Sequence, residues 1–230
     1  MIIPDKNLFI VSSAIKPSIG IYSFEERFSQ TVQSLKSVRE KVPNAIIVSA
    51  DVSLVPLTQM EKDIIYNYSD VFIDLSQEHN TKTFSERGMK SHAENALLFA
   101  TLLTLRHNHE LSKMLSSVKR IFKFGGRTEL QDTFDIKEYD NLFGKFVFKK
   151  RIPTWMHPPI TSNLLITRMF SFCPSLYDTY LNVIQKNFTV LDSLDTEHAH
   201  FLNIPKEHLV EFDTLHCWGR IAVTGQIEHY

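Results

Sequence analysis

Residues 8–51 read LFIVSSAIKPSIGIYSFEERFSQTVQSLKSVREKVPNAIIVSAD, and the order of apolar runs within them decides the fold class. Leu8 to Val11 is a short, unbroken apolar run that gives way to Ser12-Ser13, and Ala45 to Val48 is a second that gives way to Ser49-Ala50-Asp51. Unbroken runs of this kind mark strands buried on both faces, not the alternation of a half-exposed sheet. Between them Phe24, Phe28, Val32, Leu35, Val38 and Val42 recur in steps of three and four, the period of one helix face. Ser23 with Glu26 forms a capping box at the start of that helix, and Pro43-Asn44 stops it. Strand, helix and strand in this order predict a right-handed βαβ unit in a parallel sheet.

Outward from this unit the pattern repeats. Thr58 caps a predicted helix through Tyr66, and Asp70 to Asp74 reads as a third strand. Gln77 to Met89 is polar and is expected to be a loop. Ser91, with Glu94 in the capping-box position, is expected to open a helix whose stretch from Ala93 to Arg106 is apolar nearly all round and therefore buried on several sides. A shorter helix follows over Glu110 to Ser117. Past Asp132, Phe134, Tyr139, Phe143, Phe146 and Phe148 are scattered among charges, with Pro153, Pro158 and Pro159 close behind. That texture predicts irregular loops and short antiparallel strands. Leu164 to Phe172 reads as a strand, Pro174 opens a helix to about Asn187, and a last helix is expected over Ser193 to Leu202. No repeat or long linker divides the chain, so residues 1–230 are expected to form one domain, changing character after residue 131.

Composition narrows the function classes. The net charge is −1, so no global basic field points to nucleic acid, and the run from Lys145 to Arg151 reads as a solvated edge. Cys173 and Cys217, the two cysteines, lie far apart and in no CxxC pair, which suits a reducing cytoplasm better than a disulfide framework. No run is long enough for a signal-peptide core or a membrane span, so a soluble, cytoplasmic protein is expected.

Chemistry is concentrated in two places. The first is Lys119 to Leu130, KRIFKFGGRTEL, where an apolar run meets Gly125-Gly126 and then Arg127 and Glu129. Two glycines let a chain turn sharply or lie close to a ligand at a strand end. On an extended backbone Arg127 and Glu129 would share a face, one suited to a phosphate and the other to a metal ion. An ordinary strand-to-loop junction with a surface ion pair is the alternative reading. In an open parallel sheet ligands bind beyond the carboxyl ends of the strands. The loops at Ser12 to Gly20, Ser49 to Ser53 and Gly125 to Glu129 should therefore converge, bringing Ser12, Ser13, Asp51, Arg127 and Glu129 together. Neither GxGxxG nor GxxxxGK[ST] occurs, which leaves base and ribose contacts instead of a glycine-rich phosphate cradle for a nucleotide.

The second place is the cluster of Asp192, Asp195, Glu197, His198 and His200, with His208, Asp213 and His216 further on. Oxygen and imidazole donors suit Mn²⁺, Zn²⁺ or Mg²⁺. His198 and His200 are two apart, on different faces of a helix, whereas Asp195 with His198, or Glu197 with His200, can meet. A polar helix face that uses its histidines as caps or core partners explains the same residues. A carboxylate here could also act as a general base on a hydroxyl nucleophile.

Taken in order, the N-terminal strand, the Arg27-to-Arg39 helix ending in Val42-Pro-Asn-Ala-Ile-Ile-Val48, the Lys123-Phe-Gly-Gly-Arg-Thr-Glu129 segment and the Asp195-Thr-Glu-His198 helix resemble a group of glycosyltransferases found among phage, large-virus and bacterial lipopolysaccharide-synthesis proteins. The resemblance covers most of the chain. It implies a GT-A-like fold of the nucleotide-diphospho-sugar transferase type: a Rossmann-like α/β arrangement with a mixed, mainly parallel sheet flanked by helices. Residues 1–131 would form the nucleotide-sugar-binding half and 132–230 the acceptor half. It further implies transfer of a sugar from a nucleotide-sugar donor to a glycan or other hydroxyl acceptor, with Mn or Mg as a candidate cofactor. Members commonly hold the metal and the donor diphosphate with Asp-x-Asp, and Arg127-Thr-Glu129 occupies that position here. By resemblance, Ser12, Ser13, Asp51, Lys123 and Arg127 would hold the donor, and Glu129 and His198 (or His216) the metal. Asp195 or Glu197 would deprotonate the acceptor. Two rival readings are a non-catalytic nucleotide-sugar-binding protein of the same fold and a metal-dependent hydrolase built on the histidine-rich helix.

Overall fold

The computed structural model describes residues 4–16, 20–157, 160–221 and 224–230. The order is β1 (Lys6–Ser13), α1 (Phe24–Lys41), β2 (Ile46–Asp51), α2 (Gln59–Tyr66), β3 (Val71–Asp74), α3 (His79–Glu86), α4 (Lys90–His107) and α5 (His109–Leu115). Then come β4 (Val118–Gly125), β5 (Thr128–Leu130), β6 (Phe146–Lys149), β7 (Ile152–His157), β8 (Thr161–Leu164), β9 (Met169–Phe172), α6 (Tyr177–Phe188), α7 (Thr196–Asn203), β10 (Leu209–Phe212), β11 (Cys217–Arg220) and β12 (Ile227–His229).

A seven-stranded sheet in the order β10-β6-β9-β4-β1-β2-β3 organises the molecule. Strands β4, β1, β2 and β3 run parallel, β9 is antiparallel to both its neighbours, and β10 pairs parallel with β6. The sheet is thus mixed and mainly parallel, and it draws strands from both halves of the chain. Its two faces sort the side chains of β1 and β4 by alternation. Phe9, Val11, Phe122 and Phe124 pack with Leu35 and Val38 of α1, whereas Leu8, Ile10 and Ile121 pack with Leu98 and Leu102 of α4 and with Tyr180 and Ile184 of α6. Phe9 and Phe122, opposite each other across β1 and β4, stack at 4.5 Å. Two small sheets, β12-β11-β5 and the β7-β8 hairpin, flank this body.

The capping boxes at Ser23/Glu26 and Thr58/Glu61 are both formed. Elsewhere local pattern and structure part company. The segment expected to be a loop from Gln77 to Met89 contains α3, which Glu78 caps by accepting from the Thr81 N–H. Its polar sequence hid it, because it is held from outside: Thr81 is fully buried and Phe84 packs against His92 and Phe188. α4 begins at Lys90, so Ser91 lies inside the helix, and Glu94 makes an ion pair with Lys123 instead of a capping box. The strand expected over Leu164 to Phe172 is two strands, β8 and β9, separated by residues 165–168. α7 starts at Thr196, with Asp195 as its cap, not at Ser193. Pro17, Pro158 and Pro159, read as loop residues, lie outside the described residues.

Candidate active site

The parallel strands end together, and a cleft of about 180 Å³ opens over the carboxyl ends of β1, β2 and β4. Its floor is built by close backbone approach. After β4, the Gly126 N–H donates to the Ser12 carbonyl at 2.8 Å, and the Gly125 N–H donates to the Arg168 carbonyl at 2.8 Å. A Cβ on Gly126 would lie 2.9 Å from Ser13 Cβ and 3.1 Å from the Ser12 carbonyl oxygen. The second glycine is therefore required by the crossing of two main chains. From α1, the Ser34 hydroxyl lies 2.6 Å from the Thr128 carbonyl and 2.9 Å from that of Gly125, fastening the turn to the helix.

Cations dominate the lining. Among the described residues Arg27, Lys90, Lys123, Arg127 and Arg168 reach the cleft, against a single carboxylate, Glu94. Arg27 extends from the buried face of α1 and donates from Nη1 to the Ala14 carbonyl at 3.2 Å. Arg127 sits in the turn between β4 and β5, its Nε donating to the Arg220 carbonyl at 3.3 Å. Burial, then the neighbouring charges of Arg168 and Arg27, bring the Arg127 guanidinium down to about 10. Burial likewise lowers Arg27.

Lys123 alternates with Phe122 and Phe124 along β4, so it emerges on the α4 side of the sheet. There its ammonium is almost completely buried, 2.8 Å from Glu94 and 2.6 Å from the Thr167 carbonyl. Burial alone would raise the Glu94 carboxyl. The Lys123 ammonium, with Lys90 and Arg168 beyond it, outweighs that and holds Glu94 at about 2.

Of the residues expected to hold a donor, Ser12, Ser13, Lys123 and Arg127 line this cleft, and Asp51 lies beneath it. The Asp51 carboxylate is fully buried and accepts from Ser13 Oγ at 2.8 Å, the Ile15 N–H at 3.0 Å and the Ser53 N–H at 2.9 Å. Burial pushes its carboxyl up while those donors pull it down, and its observed work is to tie the ends of β1 and β2 together.

Glu129 departs from expectation. It belongs to β5, which has left the main sheet to pair with β11, and it faces a separate shallow hollow beside Trp218 and Arg220. Arg220 is 3.7 Å away, and burial raises the Glu129 carboxyl. Arg127 and Glu129 do not share a face, because a turn and a change of sheet separate them.

The histidine-rich helix also resolves into separate roles. Asp195 Oδ1 accepts from the His198 N–H at 2.9 Å and lies 2.6 Å from His198 Nδ1, so this pair closes the start of α7. His200 is fully buried. Its Nδ1 donates to the Thr196 carbonyl at 2.8 Å, leaving Nε2 to accept from the Tyr180 hydroxyl at 3.2 Å, and burial lowers it to about 4. Glu197 accepts from Thr167 Oγ1 at 3.1 Å, and burial, then Glu94 and Asp195, raise its carboxyl. His216 contacts Thr133. Among the described residues, no three His, Cys, Asp or Glu side chains are grouped to hold a metal ion. Glu129 and His198 stand in different surroundings, and the cleft's one carboxylate is already matched to Lys123, so the donor set does not fit a divalent cation.

Sequence reasoning missed Arg27, Lys90, Glu94 and Arg168 as site residues. A signal existed for Arg27: with Thr31 and Ser34 it forms a polar stripe at helical spacing, and all three are buried. Arg168 lies in the irregular break before β9 and gave no such signal.

No family model and no curated protein matches the chain. Solved structures do. The chain is similar to the galactosyltransferase LgtC in complex with donor and acceptor sugar analogues, at 9% identity over 90% of this chain and 73% of that one, with a TM-score of 0.53. It is similar to core-mannan synthase A from Aspergillus fumigatus in its Mn/GDP form, at 9% identity over 90% and 73%, with a TM-score of 0.50. The mannosyltransferase Ktr4p from S. cerevisiae matches at 8% identity over 90% and 68%, also with a TM-score of 0.50. At such identities the likeness is one of architecture, and the architecture is the GT-A-like fold, a mainly parallel sheet flanked by helices.

Proposed function

We propose that this chain is a glycosyltransferase that moves a sugar from a nucleotide-sugar donor to a hydroxyl acceptor. One observation carries the reading: a chain of net charge −1 gathers five cationic side chains and one carboxylate in a single cleft over the carboxyl ends of its parallel strands. An anionic ligand is what such a cleft attracts and orients. In a GT-A-like fold with glycosyltransferases as structural neighbours, a nucleoside diphosphate is the matching anion.

The chemistry follows from charge. When the bond between the sugar's anomeric carbon and the diphosphate oxygen breaks, negative charge grows on the departing diphosphate. The guanidiniums of Arg27 and Arg127, held beforehand by main-chain carbonyls, and that of Arg168 beside them would stabilise that charge in proportion to its growth. Glu94, kept ionised by Lys123, would accept hydrogen bonds from the donor's sugar hydroxyls. Asp195 is committed to capping α7, which leaves Glu197, outside the cleft lining and bonded to Thr167, as the remaining one of the two acids expected to act as base. Its raised proton affinity suits the removal of a hydroxyl proton. The two thiols, Cys173 and Cys217, are free, and we assign the protein to a reducing cytoplasm on that ground.

The test is a panel of UDP-, GDP-, dTDP- and CMP-sugars read by thermal shift and by release of nucleotide. Stabilisation by diphosphate donors with slow donor hydrolysis supports the enzyme. Stabilisation with no turnover on any acceptor supports a binding protein of the same fold. No response to any donor removes the reading.

A further inference from the structure

We propose that Arg27, Arg127 and Arg168 take the place of a divalent cation in this cleft, so that the chain holds a nucleoside diphosphate without metal. The inference rests on the nucleotide-sugar reading above and specifies how that ligand is bound.

The geometry of the acids comes first. A cation such as the Mn named for the Aspergillus neighbour needs carboxylates or imidazoles that converge on it. Here Asp51 is saturated by Ser13, Ile15 and Ser53, and Asp195 caps α7. Glu129 faces Arg220 in a different hollow. Among the described acids Glu94 alone lines the cleft, bonded to Lys123, and Glu197, its neighbour in charge, lies outside the lining and accepts from Thr167 Oγ1. A divalent ion entering would meet four cations beyond the matched Lys123–Glu94 pair, so the field that attracts a diphosphate repels the metal.

The guanidiniums supply what the metal would. Each comes from a different place in the fold: the Arg27 guanidinium is held by the Ala14 carbonyl and that of Arg127 by the Arg220 carbonyl, and the main chain of Arg168 is held where its carbonyl accepts from the Gly125 N–H. A planar fork grips two phosphate oxygens at once, which an ammonium cannot do. Their mutual repulsion, part of what lowers Arg127, is relieved when a polyanion lies among them.

Calorimetric titration of UDP and GDP into the full chain, once with EDTA and once with excess Mn²⁺, decides the matter. The expected result is a dissociation constant that agrees within about threefold between the two buffers, the tolerance of a cofactor that is not used. Arg127→Met and Arg168→Met should each weaken binding roughly tenfold or more in EDTA, the loss of one charge-assisted fork. Two variants are used so that a folding failure in one leaves the other, and a thermal melt checks both. Binding that appears only with Mn²⁺ overturns the inference and leaves the glycosyltransferase reading standing. Binding in neither buffer overturns both.

Discussion

Gly126→Ala is the sharpest test of how the cleft is built. The new methyl would lie 2.9 Å from Ser13 Cβ, 3.1 Å from the Ser12 carbonyl oxygen and 3.2 Å from Thr31 Oγ1. The first two belong to the end of β1, locked between β2 and β4. The third is on the buried face of α1, so no flexible side chain can simply swing away. Relief requires the turn to lift off β1, which stretches the 2.8 Å bond from Gly126 N–H to the Ser12 carbonyl. Overpacking costs about 1–3 kcal/mol and a lost buried hydrogen bond about 1 more, for a total of about 2–4 kcal/mol. For a chain of this size that corresponds to a fall in Tm of about 5–15 °C. Gly144→Ala is the control. Its φ is +61° and nothing lies within 4 Å of the added methyl, so only the left-handed backbone is penalised, about 1–2 kcal/mol. Gly125→Ala should fall between them, because its nearest neighbour at 3.0 Å is the Thr128 hydroxyl. Urea unfolding of the three variants gives the order directly. If Gly126→Ala costs no more than Gly144→Ala, the two chains do not cross as tightly as argued, and the placement of Arg127 loses its support.

Two further outcomes concern buried charge. Lys123→Met leaves Glu94 without its principal partner and should destabilise by about 3–5 kcal/mol at neutral pH. Glu94 is held at about 2 in the native protein, so its pairing stabilises above the unfolded value of 4.5 and is lost as pH falls from there toward 2. The variant's deficit should therefore shrink below about pH 5 as its own Glu94 takes a proton, and a deficit independent of pH would refute the pairing. His200 works in the opposite charge sense. The unfolded imidazole protonates near 6.5 but the folded one only at about 4, so stability drains away between those values as pH falls, by about 3 kcal/mol in all. The difference in urea midpoint between the native chain and His200→Gln should change steeply from pH 6.5 to 5. A flat difference would mean that the ring is not held neutral.

Why the central sheet could be read from the sequence, and the site only in part, follows from where each signal lives. β1, β2 and the apolar stretch of β4 are covered on both faces, so burial is written into consecutive residues, and the helix between β1 and β2 carries its own cap and period. α3 carries no such record: Phe84 packs on Phe188, far along the chain, and the buried Thr81 hydroxyl bonds back to the Leu75 carbonyl. Ser12, Ser13, Lys123 and Arg127 were accessible to reasoning because they follow or interrupt apolar runs at strand ends. Glu94 was not, since it sits on a helix where a charge is ordinarily taken as solvated, and Arg27 was overlooked for the same reason although Thr31 and Ser34 continue its stripe along α1. The misplacement of Glu129 has the most to teach. Alternation assigns two residues to one face only while the chain stays in one strand, and here Gly125-Gly126 turns the chain out of the seven-stranded sheet and into the pairing of β5 with β11. The same glycines that suggested a phosphate site also moved the acid away from it. The cation left behind at the turn joined two arginines contributed by α1 and by the break before β9. A sequence that puts arginine where an acid was expected, and closes the turn so tightly that the next acid faces elsewhere, describes a cleft whose chemistry is set by guanidinium and phosphate.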